Sequence, residues 1–263
     1  MATIAIGDVH GNKAALDDLL RQLTSEVRSS DVVVFLGDYI DRGPNTKECV
    51  DRILALHEEL PGAVVCLCGN HDDWFLRTLR DSRQHTWLLA TDAFTTIQSY
   101  SVEAAHVLRE AASRAGAALY GDDCALPYEV FFDAVPLGHI QFFESLRSYY
   151  QGPDCVCTHG GLDPGVFNVH EQTRHALIWG AGSFPNGYDG AETVVYGHRN
   201  NAVVTDGGWP SPAIVGRTIG IDTISHGVLT AVRLPDGRVF QSARCEGRPL
   251  TSKPKAESPE PKA

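Results

Sequence analysis

The chain is expected to adopt an α/β fold, and three observations predict it. The opening stretch, to about residue 70, alternates short apolar runs with amphipathic ones, the rhythm of a βαβαβ unit with a parallel sheet. After Asp72 the pattern turns helical, and after Asp154 short strand-like runs return between Gly- and Pro-rich turns. The 263 residues therefore read as one large α/β domain with a helical insertion and a strand-rich C-terminal half.

Each element has its own signal. Thr3 to Ile6 is an apolar run of strand length. From Lys13 to Val27, Leu16, Leu19, Leu20 and Leu23 recur at three-to-four spacing while Asp17, Asp18 and Arg21 fall opposite, as in a helix covering a sheet. Val32 to Leu36 predicts a second strand, Thr46 to Leu60 a helix, and Val64 to Leu67 a third strand. Asp72 to about Tyr150 reads as helical, rich in Ala and Leu through Val102 to Leu119, with a loop at Gly121 to Pro127. Residues from about 80 to 150 are taken as a helical insertion or cap. Asp154 to Thr158 predicts a strand, followed by a loop over Gly180 to Gly190. Further strands are expected at Thr193 to Tyr196, Thr218 to Ile221, Val228 to Leu234 and Val239 to Ser242, the last two joined by a Pro235-Asp236-Gly237-Arg238 turn. The end, Pro249 to Ala263, mixes Pro, Lys, Glu and Ser with almost no apolar residues and is expected to be disordered. The expected organisation is a domain over 1–245 and a tail over 246–263.

Composition narrows the function. With 43% hydrophobic and 21% charged residues the chain can bury a core, which excludes wholesale disorder. A net charge of −11 disfavours non-specific nucleic-acid binding. The apolar run at the start is too short for a signal-peptide core and no stretch is long enough to span a bilayer, so a cytoplasmic protein without membrane attachment is expected. Of the seven cysteines, Cys66, Cys68, Cys155 and Cys157 sit in two Cys-x-Cys pairs within apolar runs; core filling on one strand face is preferred over a thiolate-bound metal.

Chemistry gathers at the strand ends. Asp8 and His10 follow the first predicted strand, Asp38 and Asp41 the second, Asn70 and His71 the third, and His159 and His198 end two later ones. In α/β sheets the carboxyl edges of parallel strands are where ligands bind. Singly, each Gly-Asp pair reads as a turn with a cap, and each His as an ordinary core or surface residue. Five strand ends aiming oxygen or imidazole ligands at one region read as a metal site.

The ordered series is Gly7-Asp8-Val9-His10-Gly11, Gly37-Asp38-Tyr39-Ile40-Asp41-Arg42-Gly43, Gly69-Asn70-His71-Asp72, His159-Gly160-Gly161 and Gly197-His198. With these motifs the chain, from about residue 3 to residue 233, resembles the phosphoprotein phosphatase branch of the metallophosphoesterase superfamily, bacterial-type serine/threonine phosphatases in particular. The resemblance implies a four-layer sandwich of two mixed β-sheets flanked by helices. It implies that Asp8, His10 and Asp38 ligate one divalent ion and that Asp38, Asn70, His159 and His198 ligate another, with Asp38 bridging. Mn²⁺ is expected first, with Fe or Zn²⁺ as alternatives, since carboxylate, amide and imidazole donors suit these ions. It further implies attack by a metal-bridging hydroxide, His71 as general acid, Asp41 as its orienting partner and Arg42 as a phosphate clamp.

Two departures from the family pattern stand out. A second phosphate-binding Arg is absent after Ile178-Trp179-Gly180, and Arg199, beside His198, is the expected substitute. Asp72 stands where protein phosphatases usually carry Glu, a feature of the bacterial diadenosine tetraphosphatase branch, which in turn typically lacks the Asp found here at Asp41. The 87 residues between His71 and His159 exceed what compact members carry and are expected to shape access of substrate. Trp74, Trp87, Tyr149 and Tyr150 flank that stretch as groove-lining or core residues. His57, His85, His106, His139, His170, His175 and His226 match no motif and read as structural or solvated. The implied activity is hydrolysis of phosphate monoesters, on phosphoserine or phosphothreonine proteins or small esters; the alternative is a diadenosine polyphosphate hydrolase or phosphodiesterase using the same metals. A scaffold that has lost catalysis is disfavoured because all six ligand positions and His71 are present.

Overall fold

A computed structural model of the chain describes residues 1–245 except 122, 201 and 206; the tail expected to be disordered at 246–263 lies outside the described residues. The first part runs β1 (Thr3–Ile6), α1 (Lys13–Leu23), β2 (Val32–Phe35), α2 (Thr46–Glu59) and β3 (Ala63–Cys66). The helical stretch comprises α3 (Asn70–Arg80), α4 (Thr86–Ala90), α5 (Ala93–Tyr100), α6 (Val102–Ala115), α7 (Glu129–Phe132) and α8 (Leu137–Glu144). The remainder holds β4 (Tyr149–Gln151), β5 (Cys155–Thr158), α9 (Arg174–Trp179), β6 (Thr193–Tyr196), β7 (Ala202–Val204), β8 (Pro210–Val215), β9 (Thr218–Gly220), β10 (Thr230–Leu234) and β11 (Arg238–Gln241).

These strands form two mixed sheets, one ordered β11-β10-β1-β2-β3 and the other β4-β5-β6-β9-β8-β7. In the first, β1, β2 and β3 are parallel and level: Ile6 pairs with Phe35 and Phe35 with Cys66. In the second, β5, β6 and β9 are parallel, with Cys157 opposite Val195 and Tyr196 opposite Gly220. Level strand ends carry the residues that follow them to one edge of each sheet.

Period-2 alternation decides the layers. Ala5, Val34, Val232 and Leu234 of the first sheet meet Cys155, Cys157 and Val195 of the second in the inter-sheet core. Ile4, Ile6, Val33 and Phe35 face outward and are covered by the leucine stripe of α1, by α2 and by the insertion. Val156, Val194 and Tyr196 face outward from the second sheet against Leu177 of α9, Leu162 and Phe184. The result is the four-layer arrangement. Cys155 and Cys157 are fully buried with Sγ atoms 3.9 Å apart, and burial pushes the Cys66 thiol up to about 12, so the cysteines serve as core residues.

The structure corrects several sequence expectations. The first helix ends at Leu23, short of Val27, where the Thr24 hydroxyl donates to the Leu20 carbonyl at 2.8 Å and competes with the backbone ladder. Tyr149 and Tyr150, placed in the helical stretch, form β4 and pair with β5. The tyrosines therefore pack within the second sheet, Tyr150 against the inter-sheet core and Tyr149 on the outer face. Strand β8 went unread because Pro210 and Pro212 each lack an N–H and demote a run as strand, and β7, only three residues long, pairs with β8 alone. The insertion shares the main core with α1 and α2: Phe75 of α3 packs against Trp87, Phe131, Phe132 and Phe143 with ring centroids 4.5 to 6.2 Å apart. Phe75→Ala is expected to cost about 3–5 kcal/mol. In chemical denaturation followed by Trp fluorescence and circular dichroism, insertion and sheets should lose structure in one coincident transition.

Candidate metal centre and active site

The strand-end residues do converge. Asp38 lies at the centre, its Oδ2 3.4 Å from His10 Nε2, 3.5 Å from His159 Nε2 and 3.9 Å from His71 Nε2. Ligand atoms of His10, Asp38 and His71 form one group within 4.8 Å, and those of Asp38, His159 and His198 form another, so Asp38 belongs to both. Asn70 Oδ1 lies 3.1 Å from His159 Nε2 and 2.8 Å from His198 Nδ1. Asp8 accepts the backbone N–H of His198 at 3.1 Å, which joins the two sheets across the site.

Local backbone explains how these side chains come so close. His10, Asp38, Asp41, Arg42 and His198 all have positive φ, between 44° and 69°. Each such conformation costs an L-residue about 1–2 kcal/mol, and such outliers gather at functional sites. Gly69 and Gly197 are glycine for a different reason: a Cβ at either would overlap a carboxylate oxygen, of Asp38 and Asp8 respectively.

Neighbouring groups set the ring orientations. His10 Nδ1 lies 2.7 Å from the Ile40 carbonyl and His159 Nδ1 3.1 Å from that of Leu36. A carbonyl only accepts, so His10 Nδ1 carries the proton and its Nε2 presents a lone pair to the cluster, whereas His159 has an oxygen at each ring nitrogen, the Leu36 carbonyl at Nδ1 and Asn70 Oδ1 at Nε2. His10 Nε2 is buried without a hydrogen-bond partner. Burial lowers His10 well below the ordinary histidine range and brings His198 down to about 3, with help from His159 in the latter case. Burial pushes Asp8 well above the usual carboxylate range, reinforced by Asp222 and Asp38. Burial also works to raise Asp38, but the surrounding imidazoles of His159, His71, His10 and His198 outweigh it and hold it low. Imidazoles held low by burial, one with an orphaned ring nitrogen, beside carboxylates forced together, form a donor set that fits divalent cations.

His71 stands beside the cluster with its own support. Its Nδ1 is 2.6 Å from Asp41 Oδ2, and Asp41 also accepts from Trp87 Nε1 at 3.0 Å and from the Thr96 hydroxyl at 2.7 Å. Burial alone would lower His71; Asp38 and Asp41 outweigh it and raise the imidazole above its ordinary value. The insertion thus supplies two of the groups that hold this dyad. Trp87, one of the aromatics flanking the insertion, is fully buried there as a core residue. Arg42 is half-buried, and among the described residues its guanidinium makes no hydrogen bond or ion pair, which leaves its fork for a ligand.

Arg199 points elsewhere. Its Nη1 donates to the Phe184 carbonyl at 3.1 Å and its Nη2 to those of Trp179 and Ala181 at 3.2 Å. The sequence expectation of a second phosphate clamp is replaced by a strap that ties the 179–184 loop to the turn carrying His198. Trp179 in that loop packs edge-on to the His198 ring at 5.6 Å and against Trp74 at 4.8 Å, and Trp74 lies 6.0 Å from His71. These two aromatics wall one side of the cluster.

Asp222 has no place in the sequence expectations, and Asp72, noted there only as a departure from the family pattern, has a structural role they did not assign. Asp222 follows β9 as the other candidate residues follow their strands; it is buried, accepts the Asn200 N–H at 2.6 Å, and burial raises its carboxyl above the ordinary value. The strand-end rule applied to Gly220-Ile221-Asp222 could have found it. Asp72 accepts the N–H groups of Asp38 at 2.8 Å, Gly69 at 2.9 Å and Tyr39 at 3.2 Å, clamping the Asp38 turn to the start of α3. Burial and the Asp38 charge push Asp72 up to about 8.

A family model described as calcineurin-like phosphoesterase matches residues 1–212. A bis(5'-nucleosyl)-tetraphosphatase, PrpE, of Bacillus velezensis is 26% identical over 262 residues, covering 90% of each chain. The serine/threonine-protein phosphatase rdgC of Drosophila melanogaster is 42% identical over 69 residues, 26% of this chain and 10% of that protein. The match to another relative, C27B7.6 of Caenorhabditis elegans, also spans only 22% of the relative's length. Among solved structures, one described as a candidate diadenosine tetraphosphatase superposes with a TM-score of 0.62 at 19% identity, covering 94% of this chain and 95% of that one, which shows a shared fold.

The strap makes Arg199→Ala a discriminating variant. Limited proteolysis should cut the 179–190 loop several-fold faster, while inhibition by inorganic phosphate should stay within about twofold of wild type, the reverse of what loss of a phosphate clamp would give.

Proposed function

The chain belongs to the calcineurin-like phosphoesterase family, and on that premise we propose that it is a dinuclear-metal phosphatase that hydrolyses phosphate monoesters, phosphoserine and phosphothreonine in proteins first among them. The observation that carries the reading is the His71–Asp41 pair beside the Asp38-centred cluster. An alkoxide leaving from a serine or threonine phosphate is strongly basic and needs a proton donor, whereas a phosphate leaving from an anhydride does not. A histidine raised by two carboxylates keeps that proton available near neutral pH.

In this reading Asp8, His10 and Asp38 hold one cation and Asp38, Asn70, His159 and His198 the other, with Mn²⁺ expected before Fe or Zn²⁺. Two such cations, when bound, act as Lewis acids that activate solvent and take up charge on the phosphate. Arg42 clamps the non-bridging phosphate oxygens through its guanidinium fork. His71 Nε2 gives its proton to the departing oxygen, and Asp41, accepting from Nδ1, holds the ring and balances the imidazolium. Asp72 and Asp222 position the turns that carry Asp38 and His198. Among the described residues no helix is long and apolar enough to cross a membrane, and free cysteines fit the reducing compartment of a cytoplasmic protein.

A second reading, hydrolysis of dinucleoside polyphosphates at the same metals, is favoured by one observation: the similarity to a bis(5'-nucleosyl)-tetraphosphatase runs nearly end to end. A panel of phosphopeptide, aryl phosphate, diadenosine polyphosphate and bis-aryl phosphodiester separates the two. The proposed enzyme turns over the monoesters with the higher kcat/KM; a preference for the diadenosine compound overturns it.

His71→Asn should lower kcat on a phosphoserine peptide by about 10²–10⁴-fold and on an aryl phosphate, with its better leaving group, by clearly less. Equal losses would remove His71 from the general-acid role. Excess Mn²⁺ should raise the unfolding free energy of the wild type, by about 2.7 kcal/mol at a hundred times Kd. Asp38→Asn should abolish most of that stabilisation, read as the Tm shift between chelated and Mn²⁺-loaded protein.

A further inference from the structure

Beside the metal cluster, between α3 and α9, lies a small cavity of about 90 Å³ lined by Asp73, Arg77, Arg174, His175, Ile178 and Trp179. Neither Arg77, Arg174 nor His175 has a place in the chemistry described above. We propose that this cavity is a side pocket that receives the carboxylate of an acidic residue flanking the phosphorylated residue of a peptide substrate, with Arg174 and Arg77 as its cationic wall and Trp179 as its apolar one. The proposal rests on the phosphomonoesterase reading and adds to it a substrate preference.

Position comes first. Asp73 sits one turn along α3 from Asn70, about 4.5 Å of helix rise, and Arg77 one turn further. On the other side Trp179 meets the ring of His198. The pocket therefore adjoins the metal ligands at both walls. Residues of an extended peptide advance about 3.3 Å each, so a side chain one or two positions from the phosphorylated residue reaches it.

Charge comes second. Asp73 Oδ1 is 3.0 Å from Arg174 Nη2 and Asp73 Oδ2 is 2.7 Å from Arg77 Nη2, so two guanidiniums share one carboxylate and a single positive charge remains. That local excess stands on a chain of net charge −11, whose remaining surface repels acidic peptides. One positive charge balances a carboxylate and falls short of an oligophosphate chain, and the volume admits a short acidic side chain more readily than a nucleotide.

Rigidity comes third. Arg174 also donates to Ser148 Oγ at 3.1 Å and to Cys68 Sγ at 3.3 Å, so its guanidinium is fixed while its side chain remains 48% exposed. Arg77 is 56% exposed. A cation already held in place loses little entropy on pairing with a ligand.

The test uses the Mn²⁺-loaded full chain and phosphoserine peptides that differ only in carrying Glu, Gln or Lys one or two positions from the phosphoserine. Wild type should prefer Glu over Gln by about three- to fivefold in kcat/KM, the scale of a partly exposed ion pair, expressed in KM and shrinking with added salt. Arg77→Ala should bring the Glu-to-Gln ratio near unity, and Arg77→Lys should restore part of it. Arg174→Lys, which keeps the charge but loses the fork, should lower the ratio as well and serves if Arg174→Ala fails to fold. A wild-type ratio near unity, or a ratio unchanged in both Arg77→Ala and Arg174→Lys, overturns the pocket while the phosphatase reading stands. Turnover of diadenosine tetraphosphate with none of any phosphopeptide overturns both. If the Arg77→Ala and Arg174→Lys variants lose competition by tripolyphosphate but not the peptide preference, the pocket belongs to oligophosphates and the proposal fails.

Discussion

Everything in the site depends on keeping several carboxylates and imidazoles out of water at one point. Asp38 is 1% exposed and has three histidine nitrogens within 3.9 Å. Buried charge is costly unless matched by opposite charge and hydrogen bonds, and here the match is incomplete: burial holds His10, His159 and His198 low, and only His71 is raised. The histidines around Asp38 hold its carboxyl low against burial, while burial pushes Asp8 and Asp222 up. Such a set is tolerable where cations complete it, which is why the donors read as a metal centre and not as a core defect.

That requirement shapes the backbone. Two sheets must end at the same height and face each other, so that the turns after β1, β2 and β3 meet those after β5, β6 and β9. The turns are too tight for ordinary conformations, and among the described residues five of the six non-glycine residues with positive φ belong to the candidate site. Asp72 counters that strain at the centre by accepting three backbone N–H groups at once. The Asp8 carboxylate performs the same service between sheets, receiving the backbone of His198.

The helical insertion is part of this machinery. Its Trp87 and Thr96 hold Asp41, Asp41 holds His71, and the same Trp87 packs in the aromatic cluster around Phe75. A single residue thereby couples core packing to the orientation of the proposed proton donor. Arg199 couples in a similar way on the opposite side, joining the ligand turn to the loop that places Trp179. Ordering of the site and stability of the fold are carried by the same contacts.

Much of this was legible in the sequence, because alternation, helical spacing and strand-end motifs are local. The parallel strands β1, β2 and β3, the helices between them, and the convergence of Asp8, His10, Asp38, Asn70, His71, His159 and His198 follow from patterns only a few residues long. Other features have no local signature. Strand β8 is held by its pairing partners despite its prolines and β7 by its pairing with β8, β4 by its register on β5, and Asp222 joins the candidate site only because β9 lies next to β6. The direction of Arg199 could not be read, since a guanidinium beside His198 can turn toward the cluster or toward a loop of carbonyls. Sequence alone determined which carboxylates, amides and imidazoles stand at the strand ends. Tertiary structure decided which faced one another, because desolvation and pairing energies depend on distances that chain order does not specify.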